Sequence, residues 1–218
     1  SYNLCGALEF AEKISKSGTQ PIIGTQINFL VDNIIGKLPL FAATSEGYKN
    51  LTKLSSKSYL DSDSLKDPHC EIEILDLINK DLIILTGSQY DLFGKLFFLN
   101  KIREIEKTII KLKSIFKDRI YFEIQRHKEP NEKKFENYLI NLSKKLEIPL
   151  IASQEVFYIN KDMFEAHDAL ICIGEKSYMS DPSRKKYSNQ HFLKSTQDLK
   201  ALYADIPEAL ENNYNFPI

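Results

Sequence analysis

The sequence contains only three cysteines in 218 residues, and none of them forms a Cys-x-x-Cys pair. A disulfide framework and a zinc ribbon are therefore excluded, and we expect the chain to work in the reducing cytoplasm. No apolar run approaches the roughly 18 residues of a membrane helix, and the first ten residues carry no secretory signal. We therefore expect neither an integral membrane protein nor a secreted one.

Arginine is also scarce, with 4 arginines against 25 lysines and a net charge of −1. The chain has no large positive field and few of the planar forks that bind phosphate or guanine bidentately, so strong sequence-specific DNA recognition is disfavoured. Arg184, Lys185 and Lys186 form one short basic loop. Such a loop is usually only solvated, but these residues are the candidates for a weak contact with DNA or a partner.

Several motifs that mark enzymes are missing, among them the glycine-rich nucleotide-binding motifs, the HExxH zinc motif and the GxSxG nucleophile motif. One local acid–base cluster remains in a helical segment, where His167 stands beside Glu165 and Asp168. A single helical histidine between acids is more often an interaction or capping residue than a catalyst, because acid–base catalysis needs a second positioned partner.

Strand-like and helix-like segments alternate along most of the chain. The predicted strands are 21–29, 37–43, 81–87, 119–127 and 148–153. The predicted helices are 4–17, 45–55 capped by Ser45, 71–79, 102–116, 135–146, 162–172, 196–203 and 206–211, and 60–70 is a predicted polar loop. This alternation predicts βαβ units with parallel strands, in an α/β sheet or barrel whose active face lies at the carboxyl ends of the strands.

Polar residues stand at the ends of the predicted strands. In 119–127, a period of two places Glu123 and His127 on the same polar side, where they could pair or hold a ligand; a purely structural hydrogen bond is the simpler alternative. The other polar strand ends are Gln26, Asn28, Thr86, Ser88, Ser153, Gln154 and Glu155. Such a ring suits an α/β site, but it is poor in metal ligands, because zinc and manganese sites need clustered His, Asp, Glu or Cys.

A family resemblance follows from the blocks EGYKNL, EIQRH, EAHD and DIPEALEN. They occur in the same order as in the N-terminal PHP (polymerase and histidinol phosphatase) domain of the bacterial DNA polymerase III alpha subunit, and the resemblance covers nearly the whole chain. It implies a distorted (β/α)7-like barrel. SYNLCGALEF resembles the stretch after the family's first βα unit, so we expect a barrel that is incomplete at the N-terminus. We expect a truncated PHP domain at 1–195 and a helical connector toward the polymerase palm at 196–218.

The resemblance also implies a degenerate metal site. Metal-binding members carry a glutamate at the position of Gln26, a histidine at that of Lys37, a cysteine at that of Ser88, and an Asp-x-His pair at those of Glu155 and Phe157. Only Glu155 could still be a strong ligand, since a carboxamide is a weak donor, an ammonium repels cations and a phenyl ring has no donor atom. We therefore expect no metal and no catalytic residue here, with magnesium confined to the polymerase palm outside this sequence.

The implied function is that of a scaffold within a replicative DNA polymerase, whose parent chain performs template-directed DNA synthesis as a nucleotidyltransferase. The expected partners are the rest of the alpha chain and a separate proofreading exonuclease, with only weak and indirect contact to DNA. The first alternative is a free-standing, metal-dependent PHP phosphoesterase acting on a small phosphate ester. A second alternative is a protein-binding α/β module that uses the helix at 100–117. The simpler expectation is that the apolar stripe of this helix, Ile102, Ile105, Ile109, Leu112 and Phe116, packs on the sheet.

Overall fold

The computed structural model describes residues 3–62 and 67–216, which form one mixed sheet with helices packed against it. Its strands are β1 (Gly24–Val31), β2 (Ile34–Ala42), β3 (Cys70–Glu71), β4 (Leu82–Leu85), β5 (Ile120–Gln125) and β6 (Leu150–Ser153). Its α-helices are α1 (Ala7–Lys16), α2 (Ser45–Leu60), α3 (Leu92–Phe98), α4 (Ile102–Phe116), α5 (Glu132–Leu146), α6 (Phe164–Glu175), α7 (Thr196–Leu202) and α8 (Pro207–Asn215). Positions 63–66 of the predicted polar loop and 217–218 of the predicted connector lie outside the described residues.

The strand order in the described sheet is β3-β1-β2-β4-β5-β6, with β3 and β6 at its edges. The sheet is open, as expected for an incomplete barrel, but the prediction of parallel strands is wrong for β2. This strand runs antiparallel to both β1 and β4, whereas the pairs β1–β3, β4–β5 and β5–β6 are parallel. The reason is the two-residue turn of Asp32 and Asn33, whose φ angles of 48° and 63° suit a hairpin. A parallel return would need a crossover of about a dozen residues.

Two predicted helix features also need correction. The predicted helix at 71–79 is instead the short strand β3 followed by a 3₁₀ turn at Ile72–Asp76. Ser45 is the first residue of α2 rather than its N-cap. Thr44 is the cap, because its extended backbone lets its hydroxyl accept hydrogen bonds from the backbone N–H groups of Glu46 and Gly47, both at 3.2 Å.

The main core lies between the sheet and its helices. Ile120, Phe122 and Ile124 of β5 point into it, as their alternation predicted. Four residues of the apolar stripe of α4, Ile105, Ile109, Leu112 and Phe116, are fully buried in the same core, and Ile102 is partly buried against it. The prediction that this stripe packs on the sheet is confirmed, so the stripe is used inside the domain and is not available for a partner.

The C-terminal helices also pack against the sheet. Tyr203 and Ala209 are buried in the main core. In α8, the side-chain amide of Asn212 donates to the carbonyl of Leu150 at 2.7 Å, and that of Asn213 donates to the carbonyl of Ala152 at 2.8 Å. These bonds satisfy acceptors on the outer edge of β6, where an exposed edge would recruit another strand. Whether a domain boundary lies at 195 stays a prediction.

The described helices also bear on membrane insertion. Within 3–62 and 67–216, no helix has both the length and the apolar character needed to cross a membrane.

Two helical glycines offer a matched test of the packing. A Cβ atom on Gly47 of α2 would lie 2.1 Å from the carbonyl oxygen of Asp81, whereas a Cβ on Gly174 of α6 would meet nothing within 4 Å. We expect Gly47→Ala to lower the free energy of unfolding by about 1–3 kcal/mol through overpacking. Gly174→Ala should raise it by about 0.5–1 kcal/mol, because alanine has the higher helix propensity. Urea denaturation of both variants measures this, and equal effects would contradict the close packing of α2.

Candidate functional site

The carboxyl ends of β4, β5 and β6 border one cavity, which has a volume of about 430 Å³ and is open to solvent. Its polar and aromatic lining includes Gln26, Ser88, Asp91, Glu123, Gln125, Ser153, Glu155 and Phe157. Four of the five family positions therefore meet here. The fifth, Lys37, lines a neighbouring cavity together with Gln26, since the two residues lie on the adjacent strands β2 and β1.

Two glutamates in this open cavity lie close enough to influence each other. The Glu123 carboxylate accepts hydrogen bonds from the Ser153 hydroxyl and, at 3.0 Å, from the Gln125 amide. Burial raises the pKa of Glu123, and the negative charges of Asp91 and Glu155 raise it further. The two hydrogen bonds lower this pKa, but the net shift is upward. Burial and Asp91 also raise the pKa of Glu155, while His191 and Lys37 oppose the shift. Both carboxyls thus hold their protons to a higher pH than a solvated glutamate does.

Asp91 is a member of this site that sequence reasoning missed. Its carboxylate accepts hydrogen bonds from the backbone N–H of Ser88 at 2.7 Å and from the Ser88 hydroxyl at 2.8 Å. A local sequence signal for Asp91 existed. An acidic residue stands directly before the apolar helix α3, three positions after Ser88. The hydroxyl at a family ligand position is therefore committed to a neighbouring side chain.

Glu123 and His127 do not hydrogen-bond to each other in the described residues. His127 is buried, and its Nε2 atom accepts a hydrogen bond from the backbone N–H of Glu155 at 3.2 Å. Burial and, to a lesser extent, the nearby His191 and Lys194 together lower the pKa of His127 to about 3. At neutral pH this imidazole is therefore uncharged and serves as a hydrogen-bond acceptor.

A column of four stacked rings crosses the strand ends. His127 stacks on His191 with ring centroids 4.1 Å apart, His191 stacks on Phe157 at 4.7 Å, and Phe157 stacks on His167 at 5.0 Å. We call these four residues the ring column. It links the end of β5, the segments after β6 and the helix α6. Phe157 thus contributes packing at a position where the resemblance implies a ligand in metal-binding members, and the ring of His167 packs against it.

Glu129 is a second functional-site residue that the sequence did not indicate. Its carboxylate accepts hydrogen bonds from the Tyr90 hydroxyl at 3.2 Å, the Ser188 N–H at 2.7 Å and Nε2 of His191 at 3.2 Å. Although burial opposes the change, the bonds from His191 and Ser188 lower the pKa of Glu129. The three partners lie 39, 59 and 62 residues away, so no local pattern could reveal them.

The predicted basic loop is only partly a solvated loop. The Arg184 guanidinium donates two hydrogen bonds to the Asp168 carboxylate, at 2.5 and 2.7 Å, and both side chains are almost fully buried. The prediction of Arg184 as a free contact for DNA or a partner is therefore wrong, because its fork is occupied inside the domain. The ammonium of Lys185 lies 5.1 Å from the ring of Tyr187, and Lys186 is exposed.

The donor set does not fit the metal cluster that the family implies. A tightly bound transition metal needs at least three good donors converging within about 2.0–2.3 Å. Among residues 3–62 and 67–216, no group of three or more His, Cys, Asp or Glu side chains could hold a metal ion. At the family positions, Gln26 offers a weak amide, Lys37 a positive charge and Phe157 no donor. We therefore assign no step of any reaction to a metal here.

Comparison with known proteins places this chain in a family. A PHP domain model matches residues 1–127. The DNA polymerase III alpha subunit of Rickettsia bellii (strain RML369-C) is 38% identical over 98% of this chain, which covers 18% of that subunit. The alpha subunit of Caulobacter vibrioides (strain NA1000 / CB15N) is 33% identical over 96% of this chain, which covers 19% of it. The chain thus spans about a fifth of these relatives. Because the PHP match extends over more than half of its length, the chain belongs to the PHP domain family.

Proposed function

We propose that this chain acts as a non-catalytic PHP scaffold within a bacterial replicative DNA polymerase, whose alpha chain synthesises DNA on a template. The observation that carries the proposal is Phe157, which occupies a family ligand position with an apolar ring stacked between His191 and His167. A phenyl ring at this position has no atom that could coordinate a metal ion. The similarity to DNA polymerase III alpha subunits supports the choice of parent protein.

The interactions at the cavity support a structural role. Glu129 and the ring column connect segments that follow β4, β5 and β6 by hydrogen bonds and ring stacking. Metal ions perform such cross-linking in many proteins, because several loops contribute ligands to one centre. We propose that in this chain the side chains themselves hold the strand ends together, so that the domain keeps its shape without a bound metal.

A combined metal and activity assay tests the scaffold. After dialysis against zinc and manganese, we expect elemental analysis to find well under one metal ion per chain. We also expect no phosphodiesterase or DNA 3′-end hydrolysis in the same metals, because only Glu155 offers a strong donor at the family positions. Stoichiometric metal that is lost in Glu155→Ala, together with loss of hydrolysis, would instead establish the metal-dependent phosphoesterase.

The rest of the alpha chain is the partner that we propose for the outer face of α6. Met163, Ala166, Leu170 and Ile173 follow one another at spacings of three and four residues, and this is the spacing of one helical face. Leu170 is 64% exposed and Ile173 is 75% exposed. We call these four residues the α6 stripe. Because the relatives are about five times longer than this chain, covalently attached polypeptide is the occupant that we propose for the stripe.

Charge reversal on the α6 stripe tests this surface. In the full-length alpha subunit, we expect the double variant Leu170→Glu/Ile173→Glu to lower the melting temperature and the rate of DNA synthesis, because two charges would be buried at the interface. The same change in the isolated chain should leave its melting temperature nearly unchanged. Leu77→Glu is the matched control, since Leu77 is 86% exposed and lies outside the stripe. Equal effects of the two variants in the full-length subunit would contradict this docking.

A proofreading exonuclease subunit is a second partner that we propose, and the cytoplasm is the compartment that a replicative polymerase implies. DNA is at most a weak contact in this proposal. With Arg184 paired to Asp168, only Lys185 and Lys186 of the basic loop remain for phosphate contacts, and two charges supply little affinity at physiological salt. Magnesium would act only in the palm of the parent polymerase.

A further inference from the structure

A second, smaller cavity lies among the side chains that follow β4 and β5, with a volume of about 30 Å³. Its lining includes Gln89, Tyr90, Glu123, His127, Glu129 and His191. This volume admits one or two water molecules, since a single water needs about 10–15 Å³ when cavities are measured in this way. An organic ligand or a hydrated ion is too large for it.

Three polar atoms at this small cavity have no hydrogen bond of good geometry among the described residues, although the Gln89 amide lies beside the Tyr90 hydroxyl. They are the Nε2 and Oε1 atoms of the Gln89 amide and the Oε2 atom of the Glu123 carboxyl. Gln89 is 8% exposed and Glu123 is 6% exposed, so bulk water cannot satisfy these atoms. Buried polar groups in native proteins are almost always paired with protein or with ordered water. These three atoms therefore need a partner that the small cavity can hold.

We propose that an internal water molecule bridges Gln89 and Glu123, accepting a hydrogen bond from Gln89 Nε2 and donating one to Glu123 Oε2. The Oε1 atom of Gln89 is then the acceptor for the second water that the volume admits. Water suits the site because it both donates and accepts hydrogen bonds. An anion would be repelled by the Glu123 carboxylate, and a cation would be repelled by the positive ends of the amide N–H donors. The bridge ties the segment after β4 to strand β5, and it stands independently of the proposed scaffold function.

Direct observation of the wild-type chain is the first test. A high-resolution crystal structure should show a density peak within hydrogen-bond distance of both Gln89 Nε2 and Glu123 Oε2. Water-oxygen magnetic relaxation dispersion should detect at least one long-lived internal water that disappears in Gln89→Met. Tyr138→Phe is the matched control, because the Tyr138 hydroxyl is also buried without a hydrogen-bond partner in the described part of the chain but does not line the small cavity. An empty cavity in the crystal, or an unchanged dispersion in Gln89→Met, would overturn the proposal.

A double-mutant cycle provides the second test. If the water joins the two side chains, the change in urea midpoint caused by Glu123→Gln should be smaller in the Gln89→Met background than in the wild type. The corresponding cycle between Tyr138→Phe and Glu123→Gln should be additive. Additive effects in both cycles would overturn the bridge even if every variant folds. If Gln89→Met does not fold, the presence or absence of the density peak in the wild-type crystal structure still tests the water bridge.

Discussion

Arg126→Ala is expected to lower the free energy of unfolding by about 2–4 kcal/mol, because the buried Glu136 carboxylate loses its bidentate partner and keeps only the exposed Lys133. The Arg126 guanidinium donates to both carboxylate oxygens of Glu136, at 2.7 and 3.0 Å, and the Glu136 side chain is only 3% exposed. It also donates to both oxygens of Asp205, at 2.6 and 2.9 Å, and lies 4.8 Å from the ring of Tyr203. One side chain thus joins β5, α5 and the segment between α7 and α8.

We call Arg126 with its two carboxylate partners, Glu136 and Asp205, the Arg126 clamp. Urea denaturation of four variants tests it. Arg103→Ala is the matched control, since Arg103 is exposed on α4, and it should change the free energy of unfolding by less than about 0.5 kcal/mol. The loss in free energy of unfolding for Arg126→Lys should lie between those of Arg126→Ala and Arg103→Ala, because lysine keeps the positive charge but cannot donate bidentate hydrogen bonds. Arg126→Met combined with Glu136→Gln should recover part of the loss, as no buried charge is then left unpaired. A loss below about 1 kcal/mol in Arg126→Ala would show that the clamp contributes little.

Lowering the pH from 7 to 4 is expected to destabilise the chain through His127. Its pKa is about 3 in the folded chain, against 6.5 for an ordinary histidine, because burial and the neighbours His191 and Lys194 disfavour the charged ring. The unfolded chain therefore binds a proton that the folded chain refuses between pH 6.5 and 3. Stability from this group is complete above pH 6.5 and falls by at most ~1.4 kcal/mol for each pH unit below it. The total over the window from pH 6.5 to 3 is about 5 kcal/mol.

Comparison with His127→Gln isolates this contribution. Glutamine keeps an acceptor for the Glu155 N–H but does not titrate, so the loss of stability between pH 6.5 and 4 should be smaller in the variant. Glu123 and Glu155 work in the opposite direction, since their raised pKa values make protonation favour the folded chain as the pH falls. The measurement is therefore the difference between the two pH profiles. Parallel profiles would mean that His127 accepts its proton in the folded chain.

Several features of this chain follow from short stretches of sequence. The alternation of Ile120, Phe122 and Ile124 predicted which side of β5 faces the core, and the spacing of the α4 stripe predicted a helix packed on the sheet. The capping box of Ser195 and Asp198, which starts α7, is likewise a local signal. These features are predictable because side chains two residues apart in a strand, or three to four apart in a helix, share one side of the element.

The resemblance to the PHP domain added the positions at which metal ligands are expected, and the open cavity brings together Gln26, Ser88, Glu155 and Phe157 of that set. Residue types alone could show that Phe157 has no donor atom. They could not show that its ring is stacked between His191 and His167, since those rings come from separate segments of the chain.

The tertiary structure alone decided how the strand ends are held together. Glu129 binds Tyr90, Ser188 and His191 across separations of 39 to 62 residues, and Arg184 turns inward to Asp168 instead of outward to solvent. The sequence around a charged residue looks the same whether its side chain is solvated or paired. Pairing depends on which distant segment the fold places beside that side chain. Periodicity therefore determined most of the elements of this protein, and only the packing of those elements determined the partners of its polar side chains.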